Sequence, residues 1–149
     1  MIIQTSRFGQ LEADEQRLIT FEHGILGFPD YKCYALIQTG RDSGFYWLQS
    51  VDCPDLAFVV TDPRLFVAEY RAPIKADELA RLGLEGVEGA QVFIIVNKVD
   101  DLLTGNLQGP LVVNVATRVA RQLVLSDRRY STRHPLMRVP AREPLAQTG

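Results

Sequence analysis

Short apolar runs, the β-branched and aromatic residues that fill them, and the lack of long helical periodicity predict a mainly β fold. The expected architecture is a small antiparallel barrel-like or sandwich domain with one short helix. The runs at residues 2–5, 17–22, 33–38, 45–50, 56–61, 91–97, 110–116 and 119–125 are separated by Gly, Pro, Asn and Asp. Within the sixth, Val92-Phe93-Ile94-Ile95-Val96 offers water no polar side, so that strand is expected to be covered on both faces.

Between the second and third runs, Gly24-Ile25-Leu26-Gly27-Phe28-Pro29-Asp30 is a loop rich in apolar residues. It is read either as a small cluster tucked beneath its own backbone or as part of a partner surface. Residues 45–61 form a hairpin, with Phe45, Trp47 and Gln49 alternating against Tyr46, Leu48 and Ser50. Its turn, Val51-Asp52-Cys53-Pro54-Asp55, is stiffened by proline and is acidic, as a recognition loop would be. The helix is expected at residues 75–82. Asp77 and Glu78 lie in its first turn, Gly83 ends it, and Leu79 and Leu82 supply one narrow apolar side. Residues 1–136 are expected to form a single domain, and 137–149, with two prolines and no periodicity, a loose tail.

At 149 residues the chain suits one core, and its 46% hydrophobic and 23% charged residues are ordinary for a globular protein. Residues 1–7 lack the apolar run of about 7–15 that a secretory signal needs. The longest apolar runs, 56–60 and 92–96, fall far short of the ~20 residues that span a bilayer. Cys33 and Cys53 give no disulfide framework, and a cytoplasmic location is expected. Charge is uneven: residues 1–116 hold nine Lys and Arg against sixteen acids, while 117–149 hold seven Arg against two. An acidic body favours encounter with a basic partner and disfavours a nucleic acid backbone.

Chemistry-bearing motifs are sparse. Asn97-Lys98-Val99-Asp100 resembles the base-reading element of GTP-binding proteins, but no phosphate-cradling Gly-x-x-x-x-Gly-Lys-Ser/Thr accompanies it, so it reads as a polar turn. Cys33, Cys53, His23 and His134 lack the spacing of a metal site, and no nucleophile elbow occurs. Neither a cofactor nor an enzymatic activity is expected. Arg118, Arg121, Arg128, Arg129, Arg133 and Arg138 offer an alternative reading, a nucleic-acid-binding β-barrel, with only Tyr130 interleaved for stacking.

Trp47-Leu48-Gln49-Ser50, followed by Pro54-Asp55-Leu56-Ala57-Phe58-Val59-Val60-Thr61-Asp62-Pro63, resembles the hallmark segment of the FliW family of flagellar assembly factors. Ile19-Thr20-Phe21-Glu22-His23-Gly24-Ile25-Leu26-Gly27-Phe28, Asn106-Leu107-Gln108-Gly109-Pro110-Leu111-Val112-Val113-Asn114 and Tyr130-Ser131-Thr132-Arg133-His134-Pro135-Leu136 are similar to further blocks in the same order. The resemblance leads to an acidic residue where Cys53 stands and to Ala at Gly109, so the chain departs there. It implies a non-catalytic barrel-like protein that binds CsrA, a small basic RNA-binding regulator, and flagellin. Exchange between the two partners would relieve repression of flagellin translation. No direct nucleic acid or membrane contact is expected, and the free protein is expected to be monomeric. The partner surface is placed on the acidic and aromatic positions around the hairpin: Tyr46, Asp52, Asp55, Asp62, Glu69 and Tyr70.

Overall fold

One strand long enough to pair with two successive partners along the same edge closes the sheet on itself. The structure, a computed structural model, describes residues 1–38 and 44–139. Its strands are β1 (Ile2–Thr5), β2 (Gly9–Glu12), β3 (Ile19–Phe21), β4 (Cys33–Ile37), β5 (Phe45–Ser50), β6 (Ala57–Thr61), β7 (Ala90–Val99), β8 (Leu102–Gly105), β9 (Leu111–Asn114), β10 (Val119–Gln122) and β11 (His134–Arg138). The helix α1 is Ala76–Arg81. β6 pairs with one edge of β7, while the opposite edge takes β9 at Ala90–Phe93 and β8 at Val96–Val99. The ring runs β7, β6, β5, β4, β3, β10, β9 and back to β7, with β8 and β11 attached as a flap.

The mainly β, barrel-like expectation holds, with one difference in strand direction. β3 and β10 pair in parallel, and every other pairing in the ring is antiparallel. A closed ring with an odd number of strands cannot alternate direction all the way round, so seven strands require one parallel joint.

The barrel interior is filled by Ile19, Phe21, Ile25, Tyr34, Leu48, Val60, Phe93, Leu111, Val113 and Ala120. Its outer wall is apolar too, and separate coverings shield it. The β1–β2 ribbon lays Phe8 edge-on against Trp47, with ring centroids 6.0 Å apart, and Arg7 sits over the same indole. Phe66, Leu103 and Val139 cover Phe45 and Val96, Tyr70 and Leu107 cover Ile94, and Leu82, Leu123 and Leu125 cover Val112. β7 is thus buried on both faces, as its unbroken apolar run required. Leu82, which ends α1, is buried, and its carbonyl accepts from Asn114 Nδ2 at 2.7 Å, so the helix lies against the barrel wall.

Several local expectations need correction. β2, β8 and β11 have no counterpart among the expected runs: β2 and β11 carry polar residues or Pro135 and lie at sheet edges where such residues are tolerated, while β8, between β7 and β11, is four residues long and ends in Thr104 and Gly105. The expected strand at 119–125 ends at Gln122, although Leu123 and Leu125 still donate to the carbonyls of Pro110 and Gln108. The expected tail from residue 137 does not hold over residues 137–139. Met137 and Arg138 belong to β11, and Val139 is buried with its N–H on Asp101 O; residues 140–149 lie outside the described residues.

Candidate functional site

The turn between β5 and β6 is held from three sides. Ser50 ends β5; its N–H donates to Leu56 O at 2.9 Å and its Oγ accepts from Cys53 N at 3.0 Å, which starts the turn. Leu56 N–H closes it on Cys53 O at 3.0 Å, and Val51 N–H ties it to Cys33 O on β4 at 2.9 Å. From the N-terminal ribbon, Ser6 N–H donates to Pro54 O at 3.0 Å, and Ser6 Oγ donates to the Asp55 carboxylate. Behind the turn, buried Gln49 turns its Nε2 toward the carbonyls of Ser50, Cys53, Pro54 and Leu56. Backbone donors alone rarely satisfy every carbonyl of so short a turn, and side-chain donors of this kind are what fix its shape.

Asp52 and Asp55 are exposed, while Cys53 is half-buried beneath them. The acidic charge of the turn shows in its neighbours. Burial first, and the Asp52 carboxylate second, push the Cys33 thiol up from its ordinary value of 9.0. Burial, with Cys53 adding to it, pushes the Tyr34 phenol to about 12. Both groups stay neutral at physiological pH, so the net charge of this face comes from the carboxylates.

The six residues expected to form one partner surface divide between the two ends of the hairpin. Asp52 and Asp55 sit at the turn. Asp62, Glu69 and Tyr70 lie beyond the other end of β6, a strand length of roughly 17 Å away. Asp62 is half-buried and accepts from Arg64 N at 2.9 Å, capping the 3₁₀ turn Pro63–Leu65. Glu69 is exposed. Tyr70 is 3% exposed, donates to Leu107 O at 2.7 Å and meets the Tyr130 ring edge-on, so it is a wall component with no surface to offer. Tyr46 is half-buried, pointing into the barrel edge-on to Phe93; it also lines a cavity of about 460 Å³ shared with Arg17 and Arg118.

The N-terminal ribbon was not anticipated as part of this site, since Ser6 and Arg7 carry no pattern that would pair them with residues nearly fifty positions away. A second unexpected bridge involves Gln122. It accepts from Leu26 N at 2.8 Å and donates to Gly109 O at 3.1 Å, pinning the 24–30 loop to the barrel. A Cβ at Gly109 would lie 2.9 Å from Asn106 Nδ2 and 3.0 Å from Gln122 Nε2, so the glycine found where alanine was expected leaves room for both side-chain amides. In that loop Ile25 joins the interior cluster and Phe28 packs on Phe58, while Leu26 stays 75% exposed. The loop is therefore a core plug with one apolar side chain left outside. Asn97, Lys98 and Val99, expected to lie in a polar turn, instead continue β7 and pair with Thr104, Leu103 and Leu102 of β8, and only Asp100 and Asp101 form the turn. Of the C-terminal arginines, Arg121, Arg129 and Arg138 face Glu78, Asp127 and Asp101.

Fold and site together define a small closed β-barrel that presents an acidic turn buttressed by its own N-terminal ribbon. The FliW protein family matches residues 2–136. The flagellar assembly factor FliW of Bdellovibrio bacteriovorus is 42% identical over 138 residues, which cover 91% of this chain and 79% of that protein. The FliW of Leptospira interrogans serovar Lai is 35% identical over 144 residues, 95% of this chain and 96% of that one. A crystal structure of the flagellar assembly factor FliW superposes with a TM-score of 0.84 at 33% identity, covering 96% of this chain and all of the other. The chain belongs to the FliW family.

Proposed function

We propose that this chain is a non-catalytic flagellar assembly factor that binds CsrA and flagellin in the cytoplasm and relieves CsrA repression of flagellin translation by partner exchange. The observation that carries the reading is the buttressed turn with exposed Asp52 and Asp55, set on a body in which acids outnumber bases. A rigid acidic surface meets a basic regulator with little ordering cost, and complementary charge raises the association rate. Asp52 and Asp55 form the centre of the CsrA contact. Glu69 at the far end of the hairpin belongs to a separate patch, and Asp62 contributes through the fold. Nucleic acid binding through the C-terminal third is the weaker reading, because three of its arginines already face carboxylates.

Calorimetry with purified CsrA tests the assignment. Asp52→Lys together with Asp55→Lys is expected to weaken binding at least tenfold, since like charges then meet across the contact. Unchanged affinity for both CsrA and flagellin would remove the turn from the partner surface.

A further inference from the structure

Gln49 is a polar side chain in an apolar wall, 0% exposed and on the same outward face of β5 as Trp47. Its Nε2 lies 3.1 Å from Ser50 O, 3.3 Å from Cys53 O, 3.2 Å from Pro54 O and 3.2 Å from Leu56 O. A primary amide has two N–H groups, so four acceptors share them. Three of those carbonyls also take a backbone donor: Cys53 O from Leu56, Pro54 O from Ser6 and Leu56 O from Ser50. The amide is therefore a second donor at a junction where β5, the turn, the first residues of β6 and the N-terminal ribbon meet.

Its own oxygen, Oε1, is buried with no hydrogen-bond partner. Reversing the amide would aim that oxygen at four carbonyl oxygens, so the nitrogen must face the turn. An orphaned buried acceptor is a cost that Met or Leu of similar volume would avoid. What Gln supplies in return is the pair of donors.

Resting on the reading of the 51–55 turn as the CsrA contact, we infer that Gln49 is its positioning residue. Without touching the partner, its amide gathers the turn's carbonyls into one ring and fixes the direction in which Asp52 and Asp55 face outward. Preorganisation of this kind acts on affinity by removing an ordering cost from the binding step. Gln49 and the two carboxylates therefore have different signatures. Loss of the carboxylates removes charge and flattens the salt dependence of binding. Loss of the amide leaves the charge in place and preserves that salt dependence, while affinity falls.

The experiment compares wild type, Gln49→Met and the Asp52→Lys, Asp55→Lys pair by calorimetry against purified CsrA at several salt concentrations, with amide hydrogen exchange on the free proteins. Gln49→Met is expected to lose about tenfold in affinity, to keep the wild-type salt slope, and to exchange faster at the amides of Cys53 and Leu56. Wild-type affinity in a Gln49→Met protein whose turn amides exchange faster would overturn the inference. Should Gln49→Met not fold, the Gln49 side-chain amide resonances of the wild-type protein serve instead. Their protons are expected to exchange with solvent as slowly as the backbone amides of Cys53 and Leu56, and exchange at the rate of a free side-chain amide would overturn the inference. If the charge-reversed pair binds like wild type, the CsrA reading of the turn fails; if that pair weakens and Gln49→Met does not, the positioning role alone fails.

Discussion

Asp62 and Asp52 are both aspartates at the ends of β6 and its hairpin, and only their surroundings separate a fold role from a surface role. Burial alone would raise the Asp62 carboxyl; the backbone and side-chain donors of Arg64, the Gln91 amide and the Arg64 charge outweigh it and hold the group below its ordinary 3.8. A folded-state value below the unfolded one means that the unfolded chain binds more protons in between. The stabilisation is whole above 3.8 and is lost as pH falls through the folded-state value. Asp62→Asn keeps an oxygen for the Arg64 N–H but loses the charge, so wild type is expected to be more stable near neutral pH. That advantage should shrink toward zero below 3.8, read from urea midpoints over a pH series. A gap that stays constant with pH would assign the effect to packing. The cap was legible in the sequence, since Asp followed by Pro and a turn is a helix-start pattern, and a surface role was assigned to it instead. Tyr70 differs: its burial depends on Leu107 and Tyr130, far along the chain, and no local pattern announces that.

At the scale of elements, the seven ring strands and β1 were legible from their apolar runs, and β2, β8 and β11 were not. β11 carries Pro135 and charged residues, and β2 is largely polar, so their place follows from edges left open by other strands. The β1–β2 ribbon matters most here, since it covers Trp47 and reaches the acidic turn through Ser6. Trp47 is the chain's single tryptophan and is 5% exposed, which makes it a reporter of that covering. Phe8→Ala removes the edge-on ring contact and is expected to cost about 1 kcal/mol while leaving the barrel closed. Trp47 emission should move to longer wavelength and become more sensitive to acrylamide. Unchanged emission and quenching would mean that Arg7 and the backbone of the ribbon suffice to cover the indole. The antiparallel expectation was sound for every ring pair except β3 with β10; that single parallel joint belongs to the count of strands in the ring, which no segment of sequence carries.

Charge is a property of the whole molecule, and here the fold partly redistributes what the sequence separates. The C-terminal third is basic, yet Arg121 comes within 3.1 Å of Glu78 and Arg138 pairs with Asp101, so part of that positive charge is spent on the acidic body. The Arg138–Asp101 pair is exposed and adds little stability, typically below about 1 kcal/mol, whereas Arg121–Glu78 is half-buried; both change the field that an approaching partner meets. Among the described residues no arginine pairs with Asp52 or Asp55, and Asp55 is held by the Ser6 hydroxyl, which leaves its negative charge intact. A basic partner is therefore drawn toward the turn over distances that salt controls, with screening lengths of about 10 Å at 0.1 M falling to about 3 Å at 1 M. The association rate constant with CsrA, measured by stopped flow, is expected to drop roughly tenfold or more from low salt to about 0.5 M, while the dissociation rate changes far less. The Asp52→Lys, Asp55→Lys protein should lose most of that dependence. A flat salt series in the wild type would mean that the encounter is governed by apolar contact, and would move attention from the turn to exposed side chains such as Leu26 in the β3–β4 loop.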